Sequence, residues 1–283
     1  MVLGSQLLSG FCAAMAFSQS PIHLSSNSIG QGDLCLITIR VEGGHPPVVL
    51  WLGKEVFLAA NPQKTEWYGY LVADLMAKPG HYKVLVRMPG SGTERQLALE
   101  IREKDYGVRR LTLPKNMVDL DSQSDRRAKK ESKRMKGLWE AKPSPPLWSG
   151  PFIRPVPGKV VGAFGQRSII NNQPRSPHSG VDLKSERGAP IKAINRGQVV
   201  LTGDHFFTGL TVVIDHGGGI LSMYFHLDRI DVQKGEKVTK GHVIGLVGST
   251  GRATGPHLHW GIRINGDRIN PLRLVALSQQ LEE

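Results

Sequence analysis

Glycine and proline interrupt this chain at short intervals, and that spacing constrains its fold more than any other feature. The 283 residues include 33 glycines and 18 prolines, which separate short runs where apolar and polar residues alternate. Alternation with a period of two is typical of β-strands, and closely spaced turn residues end each strand early. Long amphipathic helical patterns are nearly absent from the sequence. The sequence therefore predicts a mostly β protein.

The length predicts two domains, because 283 residues exceed the usual size of one, and 40% hydrophobic residues suffice for a core in each. In the first half, strand-like alternation covers residues 34–41, 48–52, 66–75, 82–88 and 96–101. Several short strands separated by turns are typical of a sandwich of two sheets. We therefore predict an immunoglobulin-like β-sandwich over residues 20–105.

A charged segment separates this region from a second β region. Residues 124–139 have the composition of a charged helix, and prolines between 142 and 150 would end it. The sequence predicts a linker with a charged helix over residues 106–150. Strand-like runs then recur at residues 159–164, 190–202, 211–215, 221–225, 243–247 and 257–264. They predict a C-terminal domain, residues 151–275, built as an antiparallel β-sheet or sandwich.

The first residues resemble an export signal. An apolar stretch ends in Ala14-Met15-Ala16, the small-x-small pattern that signal peptidases read. We therefore predict a signal peptide over residues 1–16 and an exported protein, located in the periplasm, the cell envelope or outside the cell. No later apolar run has the length of a membrane-spanning segment, so no stable membrane insertion is expected after removal of the signal.

The net charge of +12 is concentrated partly in residues 126–136. Such a run could bind nucleic acid, but no aromatic residues lie between its charges to stack on bases. A solvated helix is the commoner explanation, and attraction to anionic envelope polymers is an alternative. We expect no nucleic-acid partner.

Two pairs of residues carry metal-ligand chemistry. His178 and Asp182 are four positions apart, and His257 and His259 are two positions apart. Residues separated by an even step on a strand point to the same side, so each pair could face one ion. A catalytic zinc ion takes about three such ligands and keeps roughly one position for water. The residues alone leave open which imidazoles bind the metal.

Three motifs follow one another along the chain: His-x-x-x-Asp at 178–182, Tyr-x-His-Leu at 224–227 and Gly-Pro-His-Leu-His-Trp at 255–260. Together they resemble the lysostaphin-type, LytM-like zinc metallopeptidases, which cut peptide bonds in bacterial peptidoglycan. Flanking segments at 158–167, 188–190, 238–241 and 245–251 also resemble that family. The resemblance covers roughly residues 151–271.

The resemblance implies that His178, Asp182 and His259 are the ligands of one Zn²⁺ ion. It also implies that His226 and His257 are catalytic residues that act on the water and the substrate. The expected function is that of an exported zinc endopeptidase whose partner is peptidoglycan, where it cuts peptide crosslinks or stem peptides. By contrast, His205 and His216 lie in or near glycine-containing turns and are interpreted as structural or exposed.

Other functions stay open at this point. A catalytically silent or autoinhibited family member would bind the cell wall and activate other wall hydrolases. In such a protein the N-terminal domain could contact the active-site groove. A zinc amidase, which cuts the sugar-to-peptide amide, would share the metal chemistry. The sequence does not select between glycine bridges and D-amino-acid crosslinks as the bond that is cut.

Overall fold

The computed structural model describes residues 20–41, 45–90, 92–113, 115 and 118–281. Within these ranges the chain forms 22 strands and two helices, which confirms the prediction of a mostly β protein. The predicted signal peptide, residues 1–16, lies outside the described residues. Neither described helix is long and apolar enough to cross a lipid bilayer.

The N-terminal region is a sandwich of two sheets. Its strands are β1 (Ile22–Leu24), β2 (Ser28–Gly30), β3 (Leu34–Arg40), β4 (Val48–Trp51), β5 (Lys54–Val56), β6 (Ala59–Ala60), β7 (Glu66–Val72), β8 (Gly80–Arg87) and β9 (Glu94–Arg102). The first sheet has the order β1-β3-β7-β6 and the second the order β2-β9-β8-β4-β5. These orders match the two sheets of immunoglobulin-like domains, as the alternating sequence predicts.

The first sheet buries both of its faces. Alternate residues such as Ile37 and Leu71 point into the sandwich, where they pack with Val84 of the second sheet. The residues between them, such as Leu36 and Tyr70, point the other way and join the core of the C-terminal region. A strand that is buried on both sides has a nearly continuous run of apolar residues, as residues 34–39 do. The sandwich is therefore packed directly against the C-terminal domain.

The segment between the two regions contributes a strand and a helix. Strand β10 (Val108–Leu111) pairs in parallel with a strand of the C-terminal region. Helix α1 (Ser122–Trp139), the predicted charged helix, begins where the Asp121 carboxylate accepts hydrogen bonds from the backbone N–H groups of Gln123 and Ser124. Its apolar side packs on the outer face of the C-terminal sheet through Met135, Leu138 and Trp139.

The C-terminal region is built around one large antiparallel sheet. Its strands are β11 (Val160–Gly162), β12 (Arg167–Ile170), β13 (Gln173–Arg175), β14 (Gly180–Lys184), β15 (Pro190–Lys192), β16 (Gly197–His205), β17 (Gly209–Asp215), β18 (Ile220–Ile230), β19 (Lys237–Val238), β20 (Val243–Val247), β21 (His257–Ile264) and β22 (Asp267–Ile269), followed by helix α2 (Pro271–Ser278). The main order is β11-β14-β21-β18-β17-β16-β19; β20 pairs with β15 and β18, and β22 pairs with β21. A separate sheet has the order β10-β12-β13. Strand β21 thus lies between β14 and β18, and this arrangement positions the candidate site.

Candidate metal centre

The register of two neighbouring strands brings a carboxylate and an imidazole together. Strands β14 and β21 are antiparallel, and Asp182 lies directly opposite His259. On the other side of β21, His259 lies opposite Phe225 of β18, whose ring stacks on the imidazole with centroids 5.1 Å apart. His178 precedes β14 and reaches the same side of the sheet. The candidate ligands therefore come from segments that are about 80 residues apart in the chain but adjacent in the sheet.

Three donor atoms converge tightly. The Oδ1 atom of Asp182 lies 2.9 Å from Nε2 of His178 and 2.8 Å from Nδ1 of His259. The two nitrogen atoms are 3.0 Å apart. Ligand atoms of a tetrahedral zinc ion, with bonds of about 2.0–2.2 Å, lie roughly 3.4 Å from one another. A slight opening of this triangle would therefore accommodate such an ion, and two imidazoles with one carboxylate are a typical donor set for catalytic zinc.

Hydrogen bonding orients the ligand atoms. Nδ1 of His178 donates to the carbonyl oxygen of Ala163 at 2.9 Å, so the neutral ring carries its lone pair on Nε2, toward the cluster. Two glycines leave room for the side chains. A Cβ atom on Gly162 would lie 2.2 Å from Oδ2 of Asp182, and one on Gly180 would lie 2.7 Å from Nε2 of His259. No larger residue fits at either position without moving the cluster.

The cluster has the protonation states that a metal needs. Burial alone would raise the pKa of Asp182, but its contacts with the His178 and His259 imidazoles outweigh burial and hold that pKa well below its usual range. Burial lowers the pKa of His259, although the nearby Asp182 carboxylate opposes the shift. At neutral pH the carboxylate is therefore ionised and the His259 imidazole is neutral, as metal ligands must be.

The other two predicted site histidines flank the cluster without joining it. Nε2 of His257 lies 3.9 Å from Oδ1 of Asp182, and its Nδ1 donates to the carbonyl oxygen of Gly255 at 2.8 Å. The ring centroids of His226 and His257 are 4.9 Å apart. Of the five predicted site residues, the structure thus gathers three into one donor set and places two imidazoles beside it.

His226 is held in an uncommon backbone conformation. Its φ of 66° lies in the left-handed region, which a residue with a Cβ rarely adopts. Its backbone N–H donates to the carbonyl oxygen of Thr208, and its Nδ1 donates to the carbonyl oxygen of Thr250, each at 2.8 Å. Burial, with the positive charges that His259 and His257 can carry, lowers the pKa of His226 to about 3. The imidazole is therefore neutral, and the strain is typical of a residue held in place for function.

One residue at the site was not predicted from the sequence. Nη1 of Arg109, in β10, donates a hydrogen bond of 3.1 Å to Oδ2 of Asp182. No local motif marks Arg109, which lies among other charged residues in a segment predicted as a linker. His205 and His216, which the sequence places outside the site as structural or exposed residues, are 6% and 0% exposed. Both are therefore buried structural residues.

The β-sheet fold and the His₂Asp donor set together define a protein of the metallopeptidase class. The model of peptidase family M23 matches residues 176–271. A crystal structure from Pseudomonas aeruginosa assigned to peptidase M23 is 32% identical, covers 86% of this chain and 93% of its own, and superposes with a TM-score of 0.66. The chain belongs to peptidase family M23, which confirms the resemblance to lysostaphin-type metallopeptidases.

Curated relatives match the same region. The peptidoglycan DD-endopeptidase ShyA of Vibrio cholerae is 43% identical over 98 residues, which are 35% of this chain and 23% of that protein. The DD-carboxypeptidase/endopeptidase Mpg of Neisseria meningitidis is 39% identical over 106 residues, 38% of this chain and 24% of that protein. The matched stretch thus spans less than a quarter of either relative. Both relatives are named as peptidases, in agreement with the family assignment.

Proposed function

We propose that the protein is an exported zinc-dependent endopeptidase that hydrolyses peptide crosslinks or stem peptides of peptidoglycan. The observation that carries this proposal is the convergence of one carboxylate oxygen and two imidazole nitrogens within 4.8 Å of one another. The substrate is inferred from ShyA and Mpg, which are named as endopeptidases. An envelope location follows from that substrate, because peptidoglycan lies outside the cytoplasm.

The proposed ligands are Nε2 of His178, Oδ1 of Asp182 and Nδ1 of His259. When bound there, zinc would supply a Lewis acid that polarises the scissile carbonyl group and lowers the pKa of water. Three protein ligands leave a coordination position open, which is the arrangement of a catalytic rather than a structural site. The ionised carboxylate and the neutral imidazole described above have the net charges that metal ligands need.

The two flanking histidines are proposed to handle protons. In both rings Nδ1 donates to a backbone carbonyl oxygen, so the tautomer of each ring has its lone pair on Nε2. Each ring can therefore accept a proton first and donate a hydrogen bond only afterwards. We assign His257, whose Nε2 is 3.9 Å from Asp182, as the base that takes a proton from the attacking water and passes it to the leaving amine. His226, which stays neutral, would orient the water or the substrate by accepting a hydrogen bond at Nε2.

A catalytically silent family member, which would activate other hydrolases, would have to lack metal ligands or proton-transferring residues. All five predicted residues are present and close together, which favours an active enzyme. An autoinhibited state, with the N-terminal domain over the groove, remains an alternative to test by truncation. A zinc amidase would use the same ligands, and the mass of the released products separates it from an endopeptidase.

The test combines metal content with product analysis. The purified full chain is expected to contain one zinc ion and to convert crosslinked muropeptides of isolated walls into monomers, measured by liquid chromatography and mass spectrometry. Asp182→Ala should lose both zinc and activity, whereas His257→Ala should keep zinc and lose activity. His242→Ala, which removes an exposed imidazole paired with Glu236 at 4.0 Å, is the matched control. Zinc-loaded protein that leaves every wall amide intact would contradict the proposal.

A further inference from the structure

We propose that Arg109 is a positioning residue of the metal centre, which holds Asp182 so that one carboxylate oxygen faces the metal. This inference rests on the proposed zinc site. Arg109 lies outside residues 176–271, the part of the chain that matches the M23 family model. The centre would then be completed by the segment that precedes the catalytic domain, and not by that domain alone.

Strand β10 is anchored so that Arg109 reaches the site. The hydroxyl group of Tyr106 donates to the carbonyl oxygen of Gln31 in the sandwich at 2.6 Å, and its ring packs edge-on against Phe164 with centroids 5.6 Å apart. From there β10 runs parallel to β12, with Arg109 opposite Ser168. The neighbouring Arg110 is exposed, whereas Arg109 is half-buried, because successive side chains of a strand point to opposite faces.

The guanidinium group is held at two points. Its Nε donates to Oγ of Ser168 at 2.9 Å, and its Nη1 donates to Oδ2 of Asp182 at 3.1 Å. Ser168 is only 4% exposed, so its hydroxyl group is a fixed anchor. The planar fork of arginine matches this two-point arrangement, whereas a lysine could satisfy only one of the two partners.

Arg109 contacts one oxygen of the Asp182 carboxylate and leaves the other oxygen to the histidine ligands. Oδ1 faces the two histidine ligands at 2.8 and 2.9 Å, while Oδ2 faces Arg109. Without Arg109, the carboxylate could rotate and either withdraw Oδ1 or present both oxygens to the metal, which would use up the position needed for water. Partners that orient metal ligands in this way typically change metal affinity by about 10- to 100-fold.

The charge of Arg109 acts in the opposite direction. A permanently protonated guanidinium repels a divalent cation, so its loss could also tighten zinc binding. The two effects predict opposite changes in zinc affinity when Arg109 is replaced, so a measurement of that affinity distinguishes them. We expect orientation to dominate, because the guanidinium charge is already compensated by the carboxylate that it contacts.

Zinc affinity of the full chain, measured by competition with a chelator of known affinity, is the test. Arg109→Gln should weaken zinc binding by roughly 10- to 100-fold, and Arg109→Lys should restore part of the loss. Arg110→Gln, on the exposed face of the same strand, is the matched control and should bind zinc like the unaltered protein. The absorption spectrum of the Co²⁺-loaded protein should change for Arg109→Gln, because the coordination of Asp182 changes.

The outcomes separate this inference from the proposed function. If the unaltered protein binds zinc and Arg109→Gln binds it equally or more tightly, the positioning role is refuted and the zinc site stands. If the unaltered protein binds no zinc, both are refuted. Circular dichroism checks that each variant is folded. Should Arg109→Gln unfold, Ser168→Ala removes only the anchor of the guanidinium and should weaken zinc binding in the same direction; unchanged affinity there would overturn the inference.

Discussion

Acid should destabilise this protein partly through one buried imidazole, that of His216. The side chain is 0% exposed. Its Nδ1 donates to the carbonyl oxygen of Arg196, and its Nε2 lies beside Oγ of Ser222, each at 2.7 Å. Burial lowers the pKa of His216 to about 4, although the hydrogen bond to Arg196 partly opposes the shift. The unfolded chain would bind a proton at a pKa near 6.5.

The sign and size of the effect follow from this difference. Between pH 6.5 and pH 4 the unfolded chain holds a proton on His216 that the folded chain does not. The contribution of the neutral imidazole to the free energy of unfolding is therefore complete above pH 6.5 and is lost as the pH falls toward 4. A difference of roughly 2.5 pKa units corresponds to about 3 kcal/mol in the free energy of unfolding.

Urea unfolding, followed by tryptophan fluorescence between pH 7.5 and pH 4 with a chelator present, measures this contribution. His216→Gln cannot titrate, so the unaltered protein should lose about 3 kcal/mol more than the variant over that range. Other histidines, such as His226, titrate in both proteins and cancel in the difference. Parallel curves for the two proteins would refute the reasoning, because His216 would then have the same pKa in the folded and unfolded chains.

Three further substitutions probe the site and the shared core. His257→Ala should lower turnover of crosslinked muropeptides by about 10²- to 10⁴-fold while zinc content, measured by mass spectrometry, stays the same; loss of zinc would instead make His257 a ligand. Gly162→Ala should weaken zinc binding in chelator competition, because the new Cβ would lie 2.2 Å from Oδ2 of Asp182, whereas Gly137→Ala, with no atom within 4 Å, should not. Trp148→Ala should lower the free energy of unfolding by about 3–5 kcal/mol in urea titration, because this 4% exposed ring packs between the sandwich and the C-terminal domain; a change below about 1 kcal/mol would mean that the interface adds little stability.

Strands with alternating apolar residues were predictable from the sequence, because burial of one face of a strand places an apolar residue at every second position. The predicted runs 34–41, 82–88 and 257–264 correspond to β3, β8 and β21. The predicted strand 190–202 instead forms two strands, β15 and β16, since the chain turns between Lys192 and Gly197 to pair with different partners. Strands β10, β12 and β13 were not predicted, because each has only three or four residues and none shows an alternation of apolar and polar side chains long enough to identify a strand.

The sequence by itself indicated the type of site in this protein. The spacing of His257 and His259 indicates a metal site, and the order of the motifs around Asp182 resembles that of a metallopeptidase family. These are local properties, since the alternation of side chains along a strand decides which residues share a face.

Only the tertiary structure decided which distant groups meet. The register that sets Asp182 opposite His259 arises from hydrogen bonds between two strands that no local pattern specifies. The contact of Arg109 with Oδ2 of Asp182 likewise depends on β10 lying beside β12. Pairing between remote segments is governed by packing over the whole domain, and for that reason no local pattern in the sequence marks Arg109 as part of this site.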